Sequence, residues 1–208
     1  MTEIITNAEE RKKTSLIKEA TPLPGVYIIH GPKFPDNRGE FRVLWHRELK
    51  FSKFRKPFTQ ENLSINKKGV LRGLHMQKEP YQQGKYVRVI KGKVLDVVVC
   101  IRKNSHLFGK YIAVELSGDE NKAIWIPKGY AHGFLSLEDN TIFSYKVAGE
   151  WNKEAECGAR WNDPLLMIYW NLEKYGLKKE DLIISDKDNA FPFIIPKNKE
   201  AEGYTSKY

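Results

Sequence analysis

From residue 21 onward the apolar positions fall in short runs separated by Gly, Pro, Asn and Asp. The runs are "GVYIIH" (25–30), "GEFRVLW" (39–45), "KYVRVI" (85–90), "KVLDVVVCI" (93–101), "KYIAVEL" (110–116), "KAIWIP" (122–127), "HGFLSL" (132–137) and "TIFSYKV" (141–147). Each has strand length and is rich in β-branched and aromatic residues, which pack well on a pleated surface. Many short strands with no helices between them predict an all-β sandwich or jelly-roll β-barrel. Turn residues at Lys91-Gly92 and Asp139-Asn140 predict two hairpins. A single helical stretch of a turn or two is expected in "NLEKYGLKKEDL" (171–182). Residues 1–20 are polar, with four acidic and four basic side chains, and read as an N-terminal extension. Residues 21–196 read as one domain, and 197–208 as a loose polar tail.

Composition narrows the function classes. The 208-residue chain is 41% hydrophobic and 12% aromatic, which suits a folded domain and excludes disorder. No apolar run reaches the roughly 20 residues that span a bilayer, and the first residues lack the apolar core of a secretory signal. Two cysteines, Cys100 and Cys157, form no CxxC pair, and a reducing cytoplasm is the expected location. The net charge of +9 suits nucleic acid or an anionic small molecule. The densest basic cluster, "LKFSKFRK" (49–56), is a single stripe, so no nucleic-acid groove and no membrane partner is expected.

The interior of a small jelly roll makes a pocket for one ligand. His75, Lys85, His132 and Tyr145 lie in or beside predicted strands. Metal-binding jelly rolls hold their ion with two close histidines, a glutamate and a later histidine. Here Met76 and Gln77 stand where the neighbouring ligand would be, and one or two imidazoles make a poor site. The sequence therefore predicts no metal and no cofactor, and gives His75 a proton-transfer role.

Seven motifs then occur in order: "PDNRGEF" (35–41), "GVLRGLHMQ" (69–77), "QGKYVRVIKGKVLDVVV" (83–99), "IWIPKGYAHGF" (124–134), "YKVAGEW" (145–151), "RWNDP" (160–164) and "ISDKD" (184–188). Together they resemble the dTDP-4-dehydrorhamnose 3,5-epimerase family of nucleotide-sugar epimerases, over residues 22–192. The resemblance implies a cupin-type jelly roll without metal, acting as a homodimer with strand exchange. It also implies a substrate, a nucleoside-diphosphate 4-keto-6-deoxyhexose, inverted beside its ketone by loss and return of protons. His75 matches the family's base, Asp188 the carboxylate paired with it, Lys85 the lysine near the enolate, and Tyr145 the acid across the ring. Arg38 and Arg72 match diphosphate contacts, with Arg38 reaching across the dimer. Gln60, Asn62, Phe41, His132, Glu156 and Lys187 match further substrate contacts. The "RWNDP" stretch reads as a structural turn.

Three positions depart from the family pattern. Val43 replaces a glutamate associated with the nucleotide, Glu61 replaces an aspartate, and Trp151 replaces a tyrosine expected to stack on the base. A tryptophan keeps the plate but loses the hydroxyl. Double epimerisation at C3 and C5 is the leading expectation. The alternatives are a single-centre epimerase on a dTDP-, GDP- or CDP-linked sugar, and a non-catalytic sugar-nucleotide-binding cupin.

Overall fold

The computed structural model describes residues 15–46, 49 and 57–194. The terminal residues 1–14 and 195–208, including the tail 197–208, and most of the 49–56 basic cluster lie outside them. The described residues form thirteen strands in order: β1 (Ile17–Ala20), β2 (Tyr27–His30), β3 (Lys33–Asp36), β4 (Gly39–Arg42), β5 (Phe58–Asn66), β6 (Leu71–Gln77), β7 (Gly84–Lys91), β8 (Lys93–Val99), β9 (Tyr111–Ser117), β10 (Lys122–Ile126), β11 (Ala131–Ser136), β12 (Thr141–Ala148) and β13 (Glu156–Gly158). They build two facing sheets, β1-β2-β10-β7-β12-β5 and β13-β6-β11-β8-β9, plus the separate β3–β4 hairpin. This is the expected jelly roll. Residues 17–20, inside the stretch read as a polar extension, form the edge strand β1 against β2.

Both expected hairpins are instead crossings between sheets. β7 pairs with β10 and β12, whereas β8, one residue later, pairs with β11 and β9. The chain changes sheet at Gly92, whose φ of 79° lies in the left-handed region, and a Cβ there would sit 2.4 Å from Thr141 Oγ1. β11 and β12 are likewise joined across the sandwich, through Asn140 at φ 56°. A tight turn looks the same in sequence whether it closes a hairpin or steps to the facing sheet.

The five-stranded sheet is covered on both faces, which accounts for the unbroken apolar run of β8. Val94 and Val98 face the barrel interior with Val87, Ile124, Phe134 and Phe143. Leu95, Val97 and Val99 face outward, under Leu166, Trp170 and Leu177 of the C-terminal segment. The predicted helix over 171–182 is two 3₁₀ turns, Leu172–Tyr175 and Lys179–Asp181, separated by Gly176 at φ 61°. Neither turn buries a residue fully, so no continuous apolar face is present to hold a longer helix. The "RWNDP" turn is structural: Asp163 accepts hydrogen bonds from the backbone N–H of Leu165, Leu166 and Ile194. The segment then lies along β6 through reciprocal backbone bonds of Ile183 with Gly69 and Leu71, and ends in helix α1 (Asp186–Asn189).

Candidate active site

The interior of the barrel opens into two adjoining cavities of about 310 and 250 Å³ that share Asn62, His75, Lys85, Tyr145 and Glu156. Gln60, Gln77, Gln83 and Trp151 line the first; Arg72, His132 and Lys187 line the second.

The "RGLH" stretch holds two of these residues on one wall by means of a bulge. Arg72 and His75 are three apart, and in a regular strand they would point to opposite faces. Across the ladder, however, His132 pairs with His75 and Phe134 with Arg72, so β6 carries one extra residue where β11 has Gly133. The bulge is why both side chains reach the cavity. Gly73 makes it possible: its φ is 118°, and a Cβ there would lie 2.5 Å from Gly133 Cα and 2.7 Å from His132 O.

His75 Nε2 lies 2.7 Å from Asp188 Oδ1, and Asp188 Oδ2 accepts the Gly73 N–H at 3.0 Å. Asp188 is 3% exposed and held on α1, whose N-cap Ser185 accepts the Asp188 N–H. Burial alone would raise this carboxyl's pKa. The hydrogen bonds from His75 and Gly73, with the charges of His75 and Lys187, outweigh it and hold the group below its ordinary value. An ionised Asp188 fixes Nε2–H on His75 and leaves the lone pair on Nδ1. Phe191 packs against the imidazole with ring centroids 5.6 Å apart.

The opposite sheet supplies Lys85 and Tyr145. On the β7–β12 ladder Lys85 pairs with Val147 and Tyr145 with Val87, which sets the two side chains diagonally on the same face. Lys85 touches the cavity but is otherwise enclosed by protein, and this burial pushes its ammonium down to about 8 against the opposing pull of Asp96 and Glu156. Burial pushes the Tyr145 phenol up, opposed by a hydrogen bond from Asn62 and the charge of Arg72. Asn62 accepts from Gln60 Nε2 at 2.6 Å, so its own amide is free to donate to Tyr145.

A second imidazole–carboxylate pair stands beside the first. His132 Nε2 lies 2.8 Å from Asp96 Oδ2, both side chains are buried, and Asp96 Oδ1 has no hydrogen-bond partner among the described residues. Asp96 was not foreseen as a site residue. Its signal was present in "VLDVVVC", where a lone carboxylate interrupts an otherwise apolar run.

Of the remaining expected residues, Glu156 and Lys187 form an ion pair of 2.5 Å at the cavity edge, and Arg72 Nε donates to Asn66 at 3.0 Å. Arg38 and Phe41 do not line the cavity. They sit on the β3–β4 hairpin, where Arg38 pairs with Asp36 and Phe41 is 67% exposed. Val43 accepts from Asn121 through its backbone carbonyl, and Glu61 pairs with Lys146 and Ser144 on the outer face. Among the described residues no three His, Cys, Asp or Glu side chains come together as a metal cluster, and no helix is long and apolar enough to cross a membrane.

This geometry can be set beside known proteins. An enzyme named dTDP-4-dehydrorhamnose 3,5-epimerase from Shigella flexneri is 42% identical over 164 residues, covering 78% of this chain and 91% of that one. One of the same name from Methanothermobacter thermautotrophicus is 41% identical over 169 residues, covering 81% and 89%. The crystal structure of a dTDP-6-deoxy-D-glucose-3,5-epimerase from Legionella pneumophila, in complex with dTDP-4-keto-L-rhamnose, superposes with a TM-score of 0.79 at 35% identity, covering 86% and 93%. The family model described as dTDP-4-dehydrorhamnose 3,5-epimerase matches residues 20–195, and the chain belongs to that family of cupin-type jelly rolls.

Proposed function

We propose that this protein is an isomerase that inverts C3 and C5 of dTDP-4-dehydro-6-deoxyglucose to give dTDP-4-dehydrorhamnose. The observation that carries the reading is that the His75–Asp188 pair and the Tyr145 phenol face one cavity from opposite sheets. Inversion needs that opposition, because a proton must leave one face of the sugar ring and return to the other.

A C–H beside a ketone is far less acidic than imidazolium, and each pKa unit of mismatch costs about 1.36 kcal/mol. His75 Nδ1 takes the proton, and Asp188 stabilises the imidazolium that results. The charge left on the ketone oxygen must meet preorganised donors. Lys85 supplies an ammonium that is roughly nine-tenths protonated at pH 7 with its pKa near 8. His132, fixed by Asp96, gives a second polar group on the opposing wall. Tyr145, whose burial keeps it protonated, returns a proton to carbon from its own side. The same machinery serves C3 and C5, since both carbons flank the 4-keto group.

Arg72 meets the diphosphate through its planar guanidinium, and Trp151 stacks on the nucleotide base at the cavity mouth. The protein acts as a homodimer in which the β3–β4 hairpin of one chain supplies Arg38 and Phe41 to the other's site. Their exposure on a projecting hairpin supports this arrangement. The free thiols of Cys100 and Cys157 suit a cytoplasmic enzyme.

Incubation with dTDP-4-dehydro-6-deoxyglucose in D₂O tests the reading. Deuterium is expected at both C3 and C5, and none in His75→Ala. Label at one carbon would make the protein a single-centre epimerase; no label with any dTDP-sugar would overturn the reaction.

A further inference from the structure

The residues that carry Trp151 are held by a side chain for which the reaction has no chemical use. Gln77 lies two positions after His75 on β6 and is 6% exposed. Its Nε2 donates to Glu150 O at 3.0 Å and to Tyr81 O at 2.5 Å, and its Oε1 accepts the Asn152 N–H at 2.7 Å. Glu150 and Asn152 are the two neighbours of Trp151. One amide therefore grips the backbone immediately before and immediately after the tryptophan, whose own ring is 60% exposed at the cavity mouth.

We infer that Gln77 is a positioning residue for nucleotide recognition: it clamps Trp151 to the strand that carries the catalytic His75. The amide is suited to this because both its donors face carbonyls and its acceptor faces an N–H. A carboxylate of the same shape would turn an acceptor toward Glu150 O and Tyr81 O. Further bonds hold the rest of the loop: Thr59 Oγ1 and Gln83 Nε2 donate from the other sheet to Gly149 O at 2.8 and 3.3 Å, Asn152 Oδ1 accepts the Ala155 N–H at 3.0 Å within the loop, and the Lys78 N–H donates to Ala155 O at 2.8 Å. Those bonds hold the loop's ends, and among the described residues the Gln77 side chain bridges its tip to β6. The aromatic plate is thereby ordered before substrate arrives, tied to the strand that carries His75 two residues before Gln77. An aromatic side chain that must be ordered on binding gives weaker association than one already held.

The inference rests on Trp151 acting as the plate for the base, and the test separates the two. Binding of dTDP by calorimetry and steady-state kinetics with dTDP-4-dehydro-6-deoxyglucose would be measured for Gln77→Met, Gln77→Glu, Trp151→Ala and Gln77→Met/Trp151→Ala. Gln77→Met and Gln77→Glu are expected to raise Kd and KM about tenfold with kcat within a factor of two. The double variant is expected to bind no more weakly than Trp151→Ala alone, because the clamp acts only through the ring. Should Trp151→Ala leave Kd unchanged, the plate and the clamp both fall. Weak dTDP binding by Trp151→Ala with unchanged binding by both Gln77 variants would overturn the clamp alone. A fall in kcat with unchanged KM in the Gln77 variants would also overturn it, since that outcome marks a support for His75.

Discussion

His132 is the cross-strand partner of His75 on the β6–β11 ladder, and each imidazole is bonded through Nε2 to its own buried carboxylate, Asp96 and Asp188. The two pairs differ in their setting. Asp188 accepts hydrogen bonds on both oxygens, from His75 and from Gly73 N, whereas Asp96 leaves Oδ1 unmatched among the described residues. A fully buried carboxylate oxygen without a donor is costly, and its field acts on the nearby Lys85 ammonium. The His75 pair thus has its carboxylate matched on both oxygens, and the His132 pair has one oxygen left over.

Replacing Asp188 by Asn should lower kcat about 10²- to 10⁴-fold, the range of a general-base contribution, with KM little changed. Steady-state kinetics would check it. The same variant bears on acid stability. The folded-state pKa of Asp188 is depressed, so its stabilising contribution is complete above the ordinary value of 3.8 and is lost as pH falls through the lower folded value. Denaturation curves of wild type and Asp188→Asn should differ at neutral pH and converge on acidification below about 4.

Tyr145→Phe should separate exchange from inversion. His75 can still remove a proton and return one to the same face, so deuterium from D₂O is expected in recovered substrate of unchanged configuration. Epimerised product should fall about 10²-fold or more. NMR of the recovered sugar decides: equal loss of exchange and inversion would remove Tyr145 from the acid's role.

Lys85 must be protonated to meet an enolate, so kcat/KM should decline as pH rises through about 8. In Asp96→Asn the larger of the two carboxylate effects that oppose burial at Lys85 is gone, leaving Glu156, and the basic limb should move to lower pH. A basic limb unmoved by this substitution would disconnect Asp96 from the ammonium.

Burial of the charged Lys85 also works against folding. Its folded pKa lies below the ordinary 10.5, so the unfolded chain binds more protons between about 8 and 10.5 and stability from this group rises with pH over that window. Lys85→Met should be inactive and more stable than wild type at pH 7, with Tm raised by about 2–4 °C for each kcal/mol relieved. Calorimetry and activity on one preparation would test both halves.

Gly73→Ala should damage fold and site together. The new Cβ meets Gly133 Cα and His132 O inside van der Waals contact at a positive φ, a cost of about 2 kcal/mol or more from strain and overpacking. A chemical denaturation midpoint equal to wild type would show that the bulge is not sterically fixed.

Part of the site's make-up is legible in the sequence. The motif order points to His75, Lys85, Tyr145 and Asp188; in the structure the first three line one cavity, and Asp188, which lines neither cavity, is bonded to His75 across 113 residues of chain. Lys91-Gly92 and Asp139-Asn140 have the chemistry of hairpin turns, yet each carries the chain to the facing sheet, because local turn chemistry does not encode which partner a strand will find. Asp96 is hidden in the sequence because a run of valines reads as core, and only the two-sided burial of β8 places it against His132. Arg38 and Phe41 matched family positions, but in a single chain they project away from the cavity on their own hairpin.

By itself the sequence determined the class of the fold and the chemical vocabulary of the site. Short β-branched runs can be satisfied only by sheets, and a histidine, a lysine, a tyrosine and an aspartate at motif positions bring proton-transfer groups with them. Only the tertiary structure decided their arrangement. A one-residue bulge at Gly73 turns Arg72 and His75 to the same wall, sheet crossings at Gly92 and Asn140 set Tyr145 opposite His75, and the Gln77 amide grips the backbone on either side of Trp151. The reason is physical: side-chain direction in a strand follows register, and register is fixed by partners distant in the chain.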